Sequence, residues 1–429
     1  MKNYRIMPLS PADADRLTAT EVLVWFHDRP GLSPQEFMAT LDPQMVWGVE
    51  YNGPEPVTLP QPRPLAATFA SWDMDLTVPG PGDQVRRVPM DALTWVGVHP
   101  DHRRRGLLRS MISHQVHRVR EQGRAALAGL HASEPGIYGR FGYAVASLDI
   151  TLTLNRGTTL AAPEHIARSA EGISTHLLPA SESADLVQQV HRATMAATLG
   201  AVTRRDAQGA TWWVDHATER GSKEPLRLLL AQREKEPVGY AIIRRQAKWS
   251  GDGLPEGKVH VWEMAAVDSA ALLALGRRLV DVDLTTGAEL PNRSLHDPLL
   301  WWAGGPRAAV VRGSDSLWLR IIDVAKALSQ RGYAAPCDVV LEVTDQMCPL
   351  NAGRWHLQVG ADGTGRCRRT EDDAHVRLDI SDLAATYLGN RSIAGQAAAG
   401  YVTEVRPGAV AELSRAMRTD TAPYGALMF

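Results

Sequence analysis

The chain is poor in cysteine. Its three, Cys337, Cys348 and Cys367, show no C-x-x-C spacing. An odd, scattered set excludes a disulfide framework and reads as free thiols with packing roles in a reducing cytoplasm. Histidine is more plentiful but scattered, with no H-E-x-x-H or comparable ligand spacing, so no metal site is expected. No apolar run approaches the roughly 20 residues needed to span a bilayer, so no membrane partner is expected. The opening Met1-Lys-Asn-Tyr-Arg-Ile-Met-Pro lacks the apolar core of a signal peptide, and the expected location is cytoplasmic. An excess of charge is also missing. Lys and Arg total 46 against 48 Asp and Glu, a formal net charge of -2. A general nucleic-acid binder would be basic, so no nucleic-acid partner is expected. What remains is ordinary for a globular protein: 44% hydrophobic and 22% charged residues over 429 positions, enough for two to four domains with sizeable cores.

One stretch carries most of the chemistry: Val96-Gly-Val-His-Pro-Asp-His-Arg-Arg-Arg-Gly-Leu-Leu-Arg109. An apolar strand, Asp91 to Val98, runs into arginines and one glycine, and a helix follows. A helix N-terminus offers unpaired N–H groups and a partial positive charge. Gly106 lets a ligand approach the backbone closely. Arg103, Arg104, Arg105 and Arg109 add charge and forked donors. The pattern suits a cofactor bearing a diphosphate. Leu108, Met111, Ile112, Val116 and Val119 recur at helical spacing and predict one buried stripe. Arg118 and Arg120 suit the negative end of the helix dipole, and Gly123 is a natural stop. A short strand, Ala125 to Leu130, is expected next. It leads to the glycine-rich His131-Ala-Ser-Glu-Pro-Gly-Ile-Tyr-Gly-Arg-Phe-Gly-Tyr143.

The rest of the chain falls into three parts. Before the cradle, a strand is expected over Tyr4 to Leu9 and a helix from Ser10 to Phe26. A second helix begins near Ser33, where Ser33-Pro-Gln-Glu36 has capping-box spacing. Strands follow over Met45 to Tyr51 and Leu65 to Val78. The middle repeats this plan: a hairpin over Leu226 to Gln232 and Pro237 to Arg245, a strand over Val259 to Val267, and a helix capped by Asp268 or Ser269. A further strand is expected to start within Leu279 to Asp283. The junction Met264-Ala-Ala-Val-Asp-Ser-Ala-Ala271 has neither the arginines nor the glycine, and Asp268 would repel a phosphate. This second copy should not bind the same cofactor. The last third, with strands over Ser316 to Ile322, Asp338 to Thr344, Trp355 to Val359 and His375 to Ile380, reads as an α+β unit with its own core. The expected division is 1–155, 156–305 and 306–429.

The R-R-x-G-x pattern after a V-x-V strand resembles the acetyl-CoA signature of GCN5-related N-acetyltransferases. More specifically, His102-Arg-Arg-Arg-Gly-Leu-Leu-Arg109, His131-Ala-Ser-Glu134 and Ile137-Tyr-Gly-Arg-Phe-Gly-Tyr143 resemble the Eis (enhanced intracellular survival) family. Ser316-Leu-Trp-Leu-Arg-Ile-Ile322, Arg331-Gly-Tyr333, Tyr387-Leu-Gly389 and the terminal Phe429 extend the resemblance over the whole chain. It implies a multidomain α/β and α+β fold: two tandem acetyltransferase-like domains, the second degenerate, and a C-terminal domain resembling sterol carrier proteins. It implies an acetyl-CoA-dependent N-acetyltransferase acting on amines of aminoglycoside-like small molecules, and a homohexamer built as a trimer of dimers. A protein-lysine or polyamine acetyltransferase is a competing reading. A non-catalytic protein binding CoA or a lipid is another.

The resemblance also implies roles. Tyr138 is the general acid, and the terminal carboxylate of Phe429 is the general base. The backbone of Val96, Gly97 and Val98 holds the pantetheine arm and polarises the thioester. The backbone from Arg104 to Arg109, through Gly106, Leu107 and Leu108, holds the diphosphate. Ser133 and Glu134 meet the thiol end or the arm. Tyrosine at ~10 against a thiol at ~8.5 leaves roughly 2 kcal/mol to overcome, and less if positive neighbours depress the tyrosine. An α-carboxyl at ~3.5 facing an amine at ~10.4 is short by roughly 9 kcal/mol, so it fits better as a group orienting a neutral amine. Trp25, Phe26, Trp47 and Trp95 are candidates to line the amine pocket, and Asp28, Glu36 and Asp42 to charge it. Met428, beside the terminus, is neutral, which argues for a narrower range of cationic substrates.

Overall fold

The computed structural model of the chain describes residues 3–26, 32–54, 62–82, 84–204, 215, 217 and 220–429. Three sheets organise them. The first holds β1 (Tyr4–Pro8), β2 (Val46–Tyr51), β3 (Ala67–Pro79), β4 (Val85–Val98), β5 (Leu127–His131) and β6 (Ala144–Val145). A strand from far along the chain, Leu317–Ile321, stands between β5 and β6. β3 and β4 form a long antiparallel hairpin, and β5 returns parallel to β4. A parallel return needs a crossover helix, and α3 (Leu107–Gln122) supplies it. α1 (Ala14–Trp25) and α2 (Pro34–Thr40) pack in one core cluster, whereas α3 packs in another with Trp47, Phe69 and Leu93.

Local sequence explains the helix ends. α2 starts with the expected capping box: Ser33 Oγ accepts from the Glu36 N–H, and Glu36 accepts from the Ser33 N–H at 2.8 Å. α3 starts at Gly106 and stops at Gly123, both in the left-handed region. Its buried stripe runs through Leu107, Met111, Ile112, Val116 and Val119; Leu108, expected inside, is half-buried beside it. The two late arginines of α3 serve tertiary contacts. Arg118 pairs with buried Asp91 and lies over the Trp47 ring. Arg120 donates to the Ile322 carbonyl and to Asn351.

The second sheet runs, in order, Val310–Asp315, Leu148–Asn155, Thr285–Arg293, Gly257–Ala266, Glu236–Gln246, Arg227–Arg233 and Ile173–Pro179. A strand, the helix Ser269–Val280 and a parallel strand repeat the β4–α3–β5 plan. Asp268 caps this helix through the Ala271 N–H and pairs with Arg233. The helix runs on to Val280 and the next strand starts at Thr285, later than expected, because Leu279 is buried on the helix stripe. The third sheet runs Gly365–Arg369, Gly353–Val359, Cys337–Thr344, Val376–Asp379 and Thr403–Glu404. Two strands cross the expected limits at 155 and 305. Leu148–Asn155 lies in the second sheet, and Leu317–Ile321 closes the free edge of β5 in the first. An unpaired edge inside the molecule would strand backbone groups, so a distant segment fills it. Among the described residues no helix is long and apolar enough to cross a membrane.

Candidate active site

β4 and β5 pair only through Met90–Leu127, Asp91–Ala128 and Ala92–Gly129. Beyond that point β4 follows β3 to Val98, while β5 follows Leu317–Ile321. The two strands therefore part, and β4 presents backbone groups to the gap. A bulge sharpens the opening. Thr68 faces Gly97 but Ala70 faces Thr94, so β4 carries one extra residue. Trp95 takes φ 51, a left-handed value that bulky side chains avoid. Bulges of this kind collect next to active sites, where they end pairing and re-aim side chains. Gly97 is buried; a Cβ there would lie 3.1 Å from Val24 Cγ1 and 3.2 Å from Thr68 Oγ1. Only glycine lets α1 pack this close to the bulge.

The start of α3 faces open space. Gly106 has φ 82, no side chain caps the helix, and a Cβ at 106 would meet nothing within 4 Å. The first N–H groups of a helix have no intrahelical partner, so they are free to hold an anion. Arg103, Arg104, Arg105 and Arg109 are exposed around this point. Arg105 is tied back to β1, donating to the Tyr4 hydroxyl at 2.8 Å, and Tyr4 meets His102 Nδ1 at 3.0 Å. Arg109 lies 6.0 Å from the Phe141 ring centre. Leu107 is buried and offers only its backbone.

β5 ends at His131, and the exposed Ser133 and Glu134 follow at once. Tyr138 sits half-buried at the head of the Gly139–Phe141 turn, with its ring 6.1 Å from that of Tyr143. Burial, and then the charge of Glu134, push the Tyr138 hydroxyl up to about 12. No positive neighbour depresses it among the causes acting there, so the easier transfer that such a neighbour would allow is not provided. Tyr143 is fully buried and donates to Gln115 Oε1 at 2.8 Å; Gln115 and Arg118 both bind Asp91. This polar network stiffens α3 against β4.

The last residues of the chain reach the same corner. The Phe429 ring packs against His131 with ring centres 4.8 Å apart. Burial pushes the His131 imidazole down to about 4, so it is neutral beside the terminus. The approach is anchored on the second sheet. The Tyr424 N–H donates to the Leu199 carbonyl at 2.7 Å, and Arg293 Nη1 donates to the Tyr424 hydroxyl at 3.1 Å. Leu427 is buried in the first core.

The aromatic candidates separate. Trp95 packs on Phe37 of α2 at 4.8 Å, and Trp25 is half-buried at the end of α1. Trp47 is a core residue stacked on Phe69, and Phe26 is exposed. Glu36 closes its own helix cap. Asp28 lies outside the described residues. Sequence reasoning missed Glu21. It follows Leu17 by four positions on the buried face of α1, and a carboxylate in an apolar stripe was the available signal.

Family comparisons agree with this architecture. Residues 5–146 match an acetyltransferase (GNAT) domain, residues 200–321 a second one, and residues 324–426 a sterol carrier protein domain. An uncharacterized N-acetyltransferase of Streptomyces avermitilis is 36% identical over 359 residues, 83% of this chain and 85% of its own. The N-acetyltransferase Eis of Mycobacterium tuberculosis is 31% identical over 361 residues, 83% of this chain and 84% of its own. The crystal structure of Eis1 from Mycobacterium abscessus superposes with a TM-score of 0.80 at 28% identity, covering 99% of this chain and 100% of that one.

Proposed function

Since the chain belongs to the Eis family of N-acetyltransferases, we propose that it transfers an acetyl group from acetyl-CoA directly to amines of aminoglycoside-like substrates. The parting of β4 from β5, in front of the uncapped start of α3, carries this reading. It joins a gap edged with backbone donors and acceptors to an anion site, the two things a pantetheine diphosphate needs. The residues present fit that group. The first N–H groups of α3 hold the diphosphate, with Arg103 and Arg104 beside them. The free edge of Val96, Gly97 and Val98 grips the arm, and Ser133 and Glu134 border its thiol end. Bound acetyl-CoA supplies the activated acyl group.

Tyr138 is the acid in this reading. Its hydroxyl keeps its proton at neutral pH, being pushed up to about 12. Giving that proton fully to a thiolate at ~8.5 is uphill by roughly 5 kcal/mol, so the transfer accompanies carbon–sulfur cleavage and does not precede it. The Phe429 carboxylate, delivered against His131, orients the attacking amine. Trp25 and Trp95 wall the amine side. Assembly as a homohexamer belongs to the same reading, and the exposed Trp249, Trp262 and Trp301 supply apolar surface for it.

The test is thiol release from acetyl-CoA with kanamycin, spermidine and a lysine peptide as acceptors, followed by product mass. Acetylated kanamycin is the expected product. Acetylation of the peptide or of spermidine alone removes the substrate assignment, and no thiol release with any amine removes the transferase reading.

A further inference from the structure

Glu21 is 6% exposed, on α1. Its Oε1 accepts from the Thr68 hydroxyl at 2.6 Å. Thr68 stands opposite Gly97 in the hairpin, and its hydroxyl lies 3.2 Å from where a Gly97 Cβ would be. Glu21 is thus one hydroxyl away from the strand segment assigned to the thioester. Its other oxygen, Oε2, is buried and completes no hydrogen bond. The Trp25 indole faces the carboxylate, but Nε1 completes no hydrogen bond either. Trp95 Nε1, at the bulge, is a further buried donor without a partner.

Among the described residues, several charged groups on the elements around α1 have other partners. Asp13 and Glu50 hold Arg16, Asp91 holds Arg118, and Glu36 caps α2. Among the described residues no cation acts on Glu21; burial, resisted by Thr68 and Trp25, pushes its carboxyl up to about 7. A buried carboxylate without a counter-ion is costly. Such groups gather at functional sites.

We propose that Glu21 is a specificity-determining carboxylate of the amine site, and that the counter-ion missing around it among the described residues is the ammonium of the acceptor. The proposal rests on the acetyltransferase reading above. It supplies the negative charge that the neutral Met428 does not. Glu21 acts from beneath the site, through the Thr68 hydroxyl and the Trp25 indole.

The test compares wild type, Glu21→Gln and Glu21→Asp, using acetyl-CoA and whichever of kanamycin and spermidine the wild type turns over faster. At pH 8 Glu21→Gln raises the KM for the amine on the order of tenfold, the effect of one charge in a partly shielded site, and leaves the KM for acetyl-CoA unchanged. The rise of kcat/KM through pH 7 disappears in Glu21→Gln and persists in Glu21→Asp. Stability separates this from a structural role. A carboxyl raised in the fold binds its proton more tightly there than in the unfolded chain, so stability falls as pH rises from ~4.5 through ~7. Glu21→Gln escapes that loss and melts at or above wild type at pH 8. An unchanged amine KM with an unchanged pH profile overturns the proposal. Equal increases in both KM values with a lower melting temperature also overturn it. A wild type that releases no thiol with either amine overturns the acetyltransferase reading itself, and this proposal with it.

Discussion

Tyr138 keeps its proton because burial and the Glu134 charge both oppose the tyrosinate. Glu134→Gln removes the repulsion, so the hydroxyl titrates at lower pH; a tyrosinate absorbance titration referenced to Tyr138→Phe checks this. Tyr138→Phe itself lowers kcat about 100-fold or more, the usual worth of a positioned acid, with acetyl-CoA affinity nearly intact by calorimetry. Normal turnover in that variant removes Tyr138 as the acid. His131 gives a pH effect of known sign. Its imidazole is near 4 in the fold and ~6.5 unfolded, so the unfolded chain takes up the proton first. Stability is therefore lost as pH falls from ~6.5 toward ~4, by up to roughly 3 kcal/mol. Urea melts of wild type and His131→Phe at pH 7.5 and pH 5 should diverge, the variant losing less.

At the scale of elements, the α3–β4 junction joins stability to the proposed cofactor site. Gly106 turns the chain in the left-handed region with open space ahead. Gly106→Ala costs about 1 kcal/mol of backbone strain and pushes a methyl group toward the anion site. Weaker binding of CoA by calorimetry, with a small loss in urea midpoint, is the expected pair of results. Arg118 is the fixed point of the same junction. It neutralises Asp91, which also holds Ser71 and Gln115. Arg118→Ala leaves that carboxylate buried and unpaired, and should cost about 3–5 kcal/mol by chemical denaturation. A loss under 1 kcal/mol would show that water replaces the guanidinium.

At the scale of the whole molecule, the second domain has a structural use although its helix start carries Asp268 in place of a cradle. It anchors the end of the chain. Gly200 has φ 87 and lies so close to the tail that a Cβ would meet the Tyr424 nitrogen at 2.8 Å. Arg293, itself paired with Asp297, covers the Tyr424 ring at 5.5 Å. Tyr424→Ala should loosen the tail, lowering amine turnover more than acetyl-CoA binding. Residues added after Phe429 should abolish turnover by displacing the carboxylate. A C-terminally extended enzyme with wild-type kcat would remove the base assignment.

Local patterns were legible in the sequence wherever neighbours along the chain decide the outcome. The stripe of α3, the Ser33 cap, the Gly106 and Gly123 ends and the Asp268 cap all depend on a few adjacent residues. The repeat of the strand–helix–strand plan, and the loss of the cradle in its second copy, were legible for the same reason. Three things depended on distant contacts. Leu317–Ile321 enters the first sheet because the β5 edge must be paired, which no local pattern records. Tyr138 is pushed up because the fold buries it and sets it near the Glu134 charge. Glu21 matters because folding buries it against Thr68, 47 residues away. Sequence alone determined which helix start follows a left-handed glycine, since glycine and helix starts act locally. The tertiary structure decided which charges are stripped of water and that the tail docks on His131, because burial and long-range pairing exist only once the chain has closed on itself.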